Sequence, residues 1–272
     1  KLTLASDRDN SAGDGDVYVE DVIVGTALTD GVKVYMGRGK SPFTREELTS
    51  SSRQQMVERS VVGDYFTAGR AEGVGFKGAV GENVKWNVFV NDGFRAGDYN
   101  ARADFARDAT DFAVTGRVDL LLAGDWGQMK DFTSWEGEEL AIFLGAAGHY
   151  EVGEGDGTNG LTINGVTTDS FYSWTIDGSV ESNGLSVFAA FYGRHLEDVT
   201  GANDLDQYGF QAQAGYNIGD KFEPFVRYEW ADADTTAEEL GLITAGVNYY
   251  IKKHKAKATL DVVYGLDEVD AA

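Results

Sequence analysis

A two-residue alternation of apolar with small or polar side chains recurs along nearly the whole chain and limits what it can fold into. Between residues 243 and 251, one parity is Ile243, Ala245, Val247, Tyr249 and Ile251, and the other is Thr244, Gly246, Asn248 and Tyr250. Successive side chains of a strand point to opposite faces, so the pattern predicts strands with one apolar and one polar face. A polar face repeated along a dozen strands cannot form a dry core. The alternation therefore predicts an antiparallel transmembrane β-barrel with a water-filled interior.

Thirteen strands are predicted, and the connections between them alternate in length. The predicted strands are 2–8, 17–28, 32–38, 72–80, 84–90, 111–122, 140–150, 170–180, 185–194, 207–217, 222–230, 240–251 and 257–264. Tight turns alternate with long polar connections at 39–71, 91–110, 151–169, 195–206 and 231–239. Tight turns at one rim and long loops at the other are typical of outer-membrane barrels.

Two features depart from this regular pattern. Residues 123–139 form a long connection on the tight-turn side, where we expect Trp126 and Trp135 to lie at the membrane interface. Thirteen is also an odd number, whereas closed single-chain bacterial barrels usually have an even number of strands. We therefore expect residues 1–272 to form a single β-barrel domain that lacks terminal strands.

Composition narrows the possible partners and the competing folds. The net charge of −22 argues against nucleic acid, whose phosphates need Lys and Arg, and the chain has no Cys. A soluble β-sandwich or β-helix is the competing fold, with one face in a dry core and the other in water. The presumed outward positions carry aromatic residues around an apolar band, as in Tyr208, Phe210, Ala212, Ala214 and Tyr216. That arrangement favours a barrel in lipid, in the outer membrane of a Gram-negative-type bacterium.

The connection 39–71 is the strongest candidate for a functional site. Between residues 37 and 71, six basic side chains accompany only four acidic ones, in a chain that is strongly acidic overall. We expect a partly helical segment, with Pro42 at a first helical position and Thr44 capping the helix. If the segment folds into the lumen, the candidates for pore constriction and ion selectivity are Lys40, Arg45, Arg53, Arg59, Arg70, Glu46 and Glu47. The alternative is a solvated loop, with Arg45 paired to Glu46 or Glu58 within it.

The same segment resembles the phosphate-selective porin O and P family. A strand ending in Gly-x-x-Lys-x-Pro-Phe is matched by Gly37, Lys40, Pro42 and Phe43. Further matches are the run Glu46 to Ser51, the tripeptide Glu58-Arg59-Ser60, and Gly69-Arg70 before the next strand. The resemblance implies a sixteen-stranded, trimeric porin with an inward-folded loop. It also implies two strands before residue 2 and one after residue 264.

Charges on the predicted lumen wall argue against the phosphate selectivity that this resemblance implies. The lumen-facing parity carries Lys77, Arg117 and Arg227, but also Asp119 and Glu229. Because these cations have acidic neighbours, we expect passive diffusion of small ions and hydrophilic solutes. Anion preference should be weak at most, with no tight phosphate site. A plugged or purely structural barrel that anchors the envelope or other surface proteins is the alternative function.

No enzymatic or metal site emerges from the sequence. The three His residues lie on different predicted elements without ligand spacing, and none lies in a hydrolase motif, so we expect no enzyme and no cofactor. The weak exception is an acidic turn that could bind Ca²⁺ through Asp7, Asp9, Asp14 and Asp16. A GxGxxG run at 73–78 lies within a predicted strand, where we expect its glycines to accommodate the pressure of the inward loop.

Overall fold

The computed structural model is one antiparallel sheet, and it describes residues 1–6, 17–94, 110–153, 161–163, 166–198, 204–232 and 239–266. Its strands are β1 (Leu2–Ser6), β2 (Val17–Thr29), β3 (Val32–Lys40), β4 (Arg70–Val80), β5 (Val84–Asn91), β6 (Thr110–Ala123), β7 (Ala141–Gly153), β8 (Leu161–Ile163), β9 (Val166–Ser182), β10 (Leu185–Asp198), β11 (Leu205–Tyr216), β12 (Phe222–Asp232), β13 (Leu240–Tyr250) and β14 (Lys257–Gly265). Two short helices, α1 (Arg45–Leu48) and α2 (Val61–Phe66), lie between β3 and β4. In the described ranges, no helix has the length and apolar character needed to cross a membrane.

Thirteen strands follow one another in the order of the sequence, each antiparallel to the next, which confirms the predicted all-β fold. The described pairings end at β1 and β14, without a pairing between these two strands. The total of sixteen strands stays a prediction. The strand that sequence reasoning missed is β8, which pairs with the start of β9 inside the connection predicted at 151–169. The Asn164-Gly165 dipeptide between these strands is a typical hairpin signal.

Tight turns fix the register at one rim, as the hairpin between β9 and β10 illustrates. Asn183 and Gly184 have φ values of 44° and 93°. Positive φ at both central residues is required by the turn that matches the right-handed twist of two paired strands, and Asn-Gly adopts it readily. Leu185 consequently pairs with Ser182, and the ladder continues along both strands.

The alternation of residues separates two faces of the sheet. Gln211 and Gln213 of β11 are buried on the inner face, whereas Tyr208 and Tyr216 are exposed on the outer face. Apolar side chains are exposed along the outer face of strand after strand, including Val24, Val88, Leu144, Ile176, Val226 and Val262. A soluble sandwich would bury its apolar faces, so this inversion identifies a sheet whose outer face contacts lipid.

Two connections enter the space enclosed by the inner face, from opposite rims. The inward loop (residues 41–69) comes from the rim that carries the long loops, and the rim connection (residues 124–140) comes from the rim that carries the tight turns. They meet in an apolar cluster of Val62, Phe66, Phe132, Phe188, Ala190 and Tyr192. The predicted inward-folded loop is therefore confirmed, and the rim connection is a second inward segment that the sequence did not reveal.

The rim connection corrects the prediction made for its tryptophans. Trp135 is only 6% exposed and packs edge-on against Tyr250, with 4.8 Å between the ring centroids. It therefore lies inside the barrel and not at the membrane interface. Trp126 is half-buried, and its indole N–H donates to the carbonyl of Glu82 at 2.7 Å. Aromatic residues in a rim connection can face either the membrane interface or the barrel interior, and here they face the interior.

Candidate functional site

Local capping shapes the inward loop. The Thr44 hydroxyl accepts a hydrogen bond from the backbone N–H of Glu47 at 3.3 Å, as predicted for a helix N-cap. Pro42 is not at the first helical position, because α1 begins at Arg45. The Ser60 hydroxyl caps α2 in the same way, accepting from Gly63 N–H at 2.8 Å. The loop thus consists of short, individually capped turns that present many backbone carbonyls to the wall.

Three arginines of the wall donate to those carbonyls. They are Arg117 of β6 to Phe43 at 2.8 Å, Arg194 of β10 to Tyr65 at 3.0 Å, and Arg227 of β12 to Glu58 and Arg59, both at 3.3 Å. All three side chains are buried. A guanidinium has five donors in a fixed plane, so it can bind a carbonyl and a carboxylate at once. These arginines therefore attach the loop to the wall along much of its length.

Arg227 lies at the centre of a buried charge cluster. Its guanidinium is 2.8 Å from the Glu229 carboxylate and 3.5 Å from Glu46 of α1. Glu46 also accepts from Ser60 N–H at 3.0 Å and from the Gln211 amide at 3.2 Å. Burial raises the pKa of Glu46 above the usual carboxyl range, and the nearby positive charge of Arg227 opposes that rise. The predicted pair Arg227 and Glu229 is therefore in contact, but both are occupied by the loop.

Arg117 of β6 and Arg45 of α1 form a second buried cluster with acidic and polar side chains of β6 and β9. Arg117 lies 2.7 Å from both Asp119 and Asp177. Arg45 donates to the Ser179 hydroxyl and lies 3.5 Å from Glu181. The expected pairing of Arg45 with Glu46 or Glu58 inside a solvated loop is wrong, because the partners of Arg45 belong to the wall. Its guanidinium also lies over the rings of Phe132, Phe143 and Phe188, at 5.2 to 5.6 Å from their centroids.

Gln55 attaches the deepest part of the loop. Its amide donates to Ser186 at 2.8 Å and to Glu223 at 3.0 Å, while its side-chain oxygen accepts from Gln213 at 2.9 Å. The Asn248 amide donates to the backbone carbonyl of Gln55 at 2.9 Å. Sequence reasoning missed this network, since a single glutamine in a polar loop gives no local signal.

Glu47 collects the remaining predicted cations at the base of the loop. Its carboxylate lies 3.2 Å from Lys40, 3.3 Å from Arg59 and 3.8 Å from Arg70. These three cations are partly exposed, and Arg70 also pairs with Glu20 at 2.5 Å and with Asp21 at 3.1 Å. Arg53 is also partly exposed, and no carboxylate lies within 4.0 Å of it among the described residues. The loop therefore presents unpaired positive charge to the lumen at Arg53, whereas the cations at its base have carboxylate partners.

The inner faces of β3, β4 and β5 remain open beside the loop. Lys33 of β3 lies directly opposite Lys77 of β4 in the ladder, and Lys85 is the second residue of β5. All three are exposed, and none has a carboxylate within 4.0 Å in the part of the chain that the structure describes. Lys77 was predicted, whereas Lys33 and Lys85 were missed although they have the same inward parity. Like charges directly opposite each other destabilise a ladder, so the Lys33–Lys77 pairing itself does not stabilise the sheet. The Lys77 ammonium does lie 5.0 Å from the centroid of the Tyr35 ring.

Comparison with known proteins identifies the family. The family model described as phosphate-selective porin O and P matches residues 2–265. The chain belongs to this family. The predicted family is therefore confirmed, and with it the predicted location in a Gram-negative-type outer membrane. An uncharacterized protein of Aquifex aeolicus (strain VF5) is 28% identical over 263 residues, which are 87% of this chain and 60% of that protein.

Solved porins show the same fold at low identity. A trimer form of the in-vitro folded outer-membrane protein OmpT of Vibrio cholerae is 17% identical, with a TM-score of 0.53, over 93% of this chain and 71% of that one. An anion-selective porin from Comamonas acidovorans is 12% identical, with a TM-score of 0.53, over 97% of this chain and 90% of that one. Both similarities support the barrel architecture.

In this member of the porin O and P family, the prediction that the glycines of residues 73–78 face the inward loop is wrong. A Cβ on Gly75 would meet the Tyr35 ring of the adjacent strand at 2.1 Å, and not the loop. The loop instead approaches Gly209 and Gly215 of β11. A Cβ on Gly209 would lie 2.6 Å from Phe66 and Val62, and one on Gly215 would lie 2.3 Å from Gln55. The missing side chains let the loop pack against backbone.

The proposed calcium ligands Asp7, Asp9, Asp14 and Asp16 lie outside the described residues, so the site stays a prediction. Within the described ranges, no group of three or more acidic, His or Cys side chains could hold a metal ion. His149 instead contacts the Thr115 hydroxyl at 2.8 Å and Glu151 at 3.1 Å, in a polar network buried in the wall.

Proposed function

We propose that the protein is an outer-membrane channel for passive diffusion of small ions and hydrophilic solutes, with an off-centre path. The observation that supports it is the one-sided attachment of the inward loop. At its base the loop contacts β3 and β4 through Lys40 and Arg70, which pair with Glu47. Its other described hydrogen bonds to the wall go to strands from β6 to β14, whereas Lys33, Lys77 and Lys85 on β3, β4 and β5 are exposed. The path runs between these open strands and the loop.

The local charges along this path support a weak anion preference. Lys33, Lys77 and Arg53 have no carboxylate within 4.0 Å among the described residues, and Lys85 shares Asp119 with Arg117. Arg117 and Arg227 are neutralised by acidic partners. Charges that line a narrow pore are screened less than exposed ones, for which the screening length at physiological salt is about 8 Å. The local cations therefore outweigh the overall acidity of the chain at the narrowest point. The family description and the similar anion-selective porin agree with this preference.

The predicted site residues divide into two roles in this proposal. Lys40, Arg53, Arg59 and Arg70 face the path. Glu47 limits the charge of Lys40, Arg59 and Arg70, and Glu20 and Asp21 further limit that of Arg70. Arg45 and Glu46 are each only 2% exposed and hold the loop in place. Ion selectivity thus depends on the first group, whereas the width of the pore depends on the second.

Reversal potentials in a KCl gradient test the selectivity. We expect a small excess of chloride over potassium permeability at high salt, and a larger potassium contribution at low salt as the acidic mouths lose their screening. Replacing Arg53 and Arg59 with Gln should lower the chloride preference, and adding Arg45→Gln should also widen the pore. If the triple variant left both conductance and permeability ratio unchanged, the constriction role would be wrong. Block of chloride current by micromolar phosphate would establish a tight phosphate site instead.

The assembly is proposed to be a homotrimer in lipid. The trimeric form of the similar Vibrio cholerae protein supports this state, and the exposed apolar outer face supports the lipid contact. The family is one of porins, which supports a channel and not an enzyme. Light scattering of the purified protein in detergent, with the detergent mass subtracted, should give three copies of the chain.

A plugged, structural barrel is the second candidate, and one observation favours it. The inward loop and the rim connection enter from opposite rims and meet in one apolar cluster, which fills the lumen on the side of β10. Single-channel recording in planar bilayers separates the candidates. Stepwise conductance that grows with salt supports the channel, whereas silence from correctly folded protein supports the plug.

A further inference from the structure

A cavity of about 550 Å³ lies between the tip of the inward loop, the start of β5 and the rim connection. The loop contributes Leu48 and Arg53, β5 contributes Lys85, and the rim connection contributes Trp126, Met129 and Lys130. Because the rim connection and the start of β5 lie at the tight-turn rim, the cavity is at the inner end of the proposed path. Its volume is in the range of sites for drug-sized organic ligands, roughly 300 to 1,000 Å³.

The charges of the cavity are nearly all of one sign. Arg53, Lys85 and Lys130 come from three separate elements, and none has a carboxylate within 4.0 Å among the residues described. Arg45 and Arg117 also line the cavity, but both have acidic partners. Arg45 pairs with Glu181, and Arg117 pairs with Asp119 and Asp177. Asp119, which also lines the cavity, lies opposite Lys85 in the β5–β6 ladder but is shared with Arg117. The cavity therefore keeps an excess of positive charge, which an anion would stabilise.

The uncharged part of the lining is apolar, which distinguishes the cavity from a site for a hydrated inorganic ion. Leu48, the last residue of α1, is 39% exposed, although it faces the interior of a barrel with polar walls. Met129 and Trp126 lie beside it on the rim connection, and the Lys85 ammonium lies 4.1 Å from the centroid of the Trp126 ring. Inorganic phosphate or chloride would gain nothing from these groups, whereas a ligand with an apolar part would bury them.

We propose that this cavity binds organic anions that combine a phosphate or carboxylate group with an aromatic or apolar part. The anionic group binds Arg53, Lys85 and Lys130, and the apolar part packs against Leu48 and Met129. The inference rests on the proposed channel for access, since the cavity adjoins the path beside β5. It extends the substrate class from small inorganic ions to aryl and alkyl phosphates and carboxylates.

Calorimetric titration of the purified full chain in detergent tests the proposal, with phenyl phosphate and inorganic phosphate as the two probes. Burial of the phenyl ring should make phenyl phosphate bind at least about 10-fold more tightly than inorganic phosphate. Lys85→Gln combined with Lys130→Gln should weaken both probes by about 10-fold or more. Leu48→Ser combined with Met129→Ser should remove the advantage of phenyl phosphate and leave inorganic phosphate unchanged.

A matched control removes two lysines from the same rim outside the cavity, in Lys252→Gln combined with Lys255→Gln. Both residues are exposed in the turn between β13 and β14, and this variant should bind both probes like the wild type. Circular dichroism before and after heating establishes that each variant is folded. Equal affinity of the wild type for the two probes, no binding of either, or an equal loss in the control variant would overturn the proposal.

Single-channel conductance of the same wild-type protein distinguishes absence of the organic-anion site from absence of a channel. A conducting wild type that binds neither probe removes the organic-anion site and leaves the channel intact. A silent wild type that binds phenyl phosphate with the expected pattern removes the channel and supports the site.

Discussion

Both sides of the lumen carry inward-facing cations, and these cations have different roles on the two sides. The packed wall comprises β6, β7 and β9 to β14. On it, Arg117, Arg194 and Arg227 are buried and donate to carbonyls of the inward loop. On the open wall, which comprises β2 to β5, Lys33, Lys77 and Lys85 face the lumen. None of these three lysines has a described carboxylate within 4.0 Å.

The chemistry of the two cations matches this division. A guanidinium is weakly hydrated and holds several acceptors in one plane, so it suits the dry contact between loop and wall. An ammonium is compact, flexible and strongly hydrated, so it suits a surface that mobile ions pass. Inward parity alone therefore does not identify a selectivity residue, and contact with the loop decides the role.

Removing an arginine from the packed wall should have the largest effect. Arg227→Ala leaves Glu46 and Glu229 buried without their cation, and it removes the donors to two loop carbonyls. We expect a loss of about 3 to 5 kcal/mol in the free energy of unfolding. Urea unfolding in detergent measures it, with Lys77→Ala as the control that should change stability by less than about 0.5 kcal/mol. A similar loss in both variants would contradict the division.

A side chain between loop and wall should have the next largest effect. Gly209→Ala places a methyl group 2.6 Å from Phe66 and Val62, so the loop must shift. Overpacking of this kind costs about 1 to 3 kcal/mol. Gly148→Ala is the matched control, because a Cβ there meets nothing within 4 Å. Thermal unfolding of the two variants should separate them, and equal midpoints would show that the loop does not pack against β11.

The pH dependence of the packed wall should be smaller. The pKa of Glu46 is raised in the folded protein, so the folded state retains this proton after the unfolded chain has lost it. Stability from this group is therefore lost as pH rises above the ordinary carboxyl pKa of about 4.3, by at most about 1.4 kcal/mol per pH unit. Glu46→Gln should remove that slope. Unfolding curves of both proteins between pH 4 and pH 8 measure the difference, and parallel curves would contradict it.

Neutralising the lysines of the open wall should have the smallest effect on stability of these changes, and it should lower the anion preference without unfolding the protein. Lys33→Gln combined with Lys77→Gln removes two like charges that lie directly opposite each other, so stability should stay constant or rise by up to about 0.5 kcal/mol. The chloride preference measured from reversal potentials at low salt should fall. An unchanged permeability ratio would move the path away from β3 and β4.

The strands and the first helix could be predicted because their signals are local. Alternation along residues 207–216 separates Gln211 from Tyr208, and Thr44 caps α1 within one turn. The partners of the loop could not be predicted, since Arg45 and Ser179 are 134 residues apart and Gln55 and Asn248 are 193 apart. Lys33 and Lys85 could have been predicted from the sequence, because the alternation places them on the same inner face as Lys77.

The attachment of the inward loop has a consequence for the order in which the molecule forms. The loop lies in the first quarter of the chain, yet Val57 N–H donates to Asp261, and Gln54 accepts from Lys257, both on β14. Contacts so distant in sequence form late, because closing a long segment of chain costs entropy before the contact rewards it. The loop therefore reaches its final position only after β14 is in place. In a barrel that still lacks β14, the inward loop cannot make these contacts. Selectivity is the last property that the folding chain acquires.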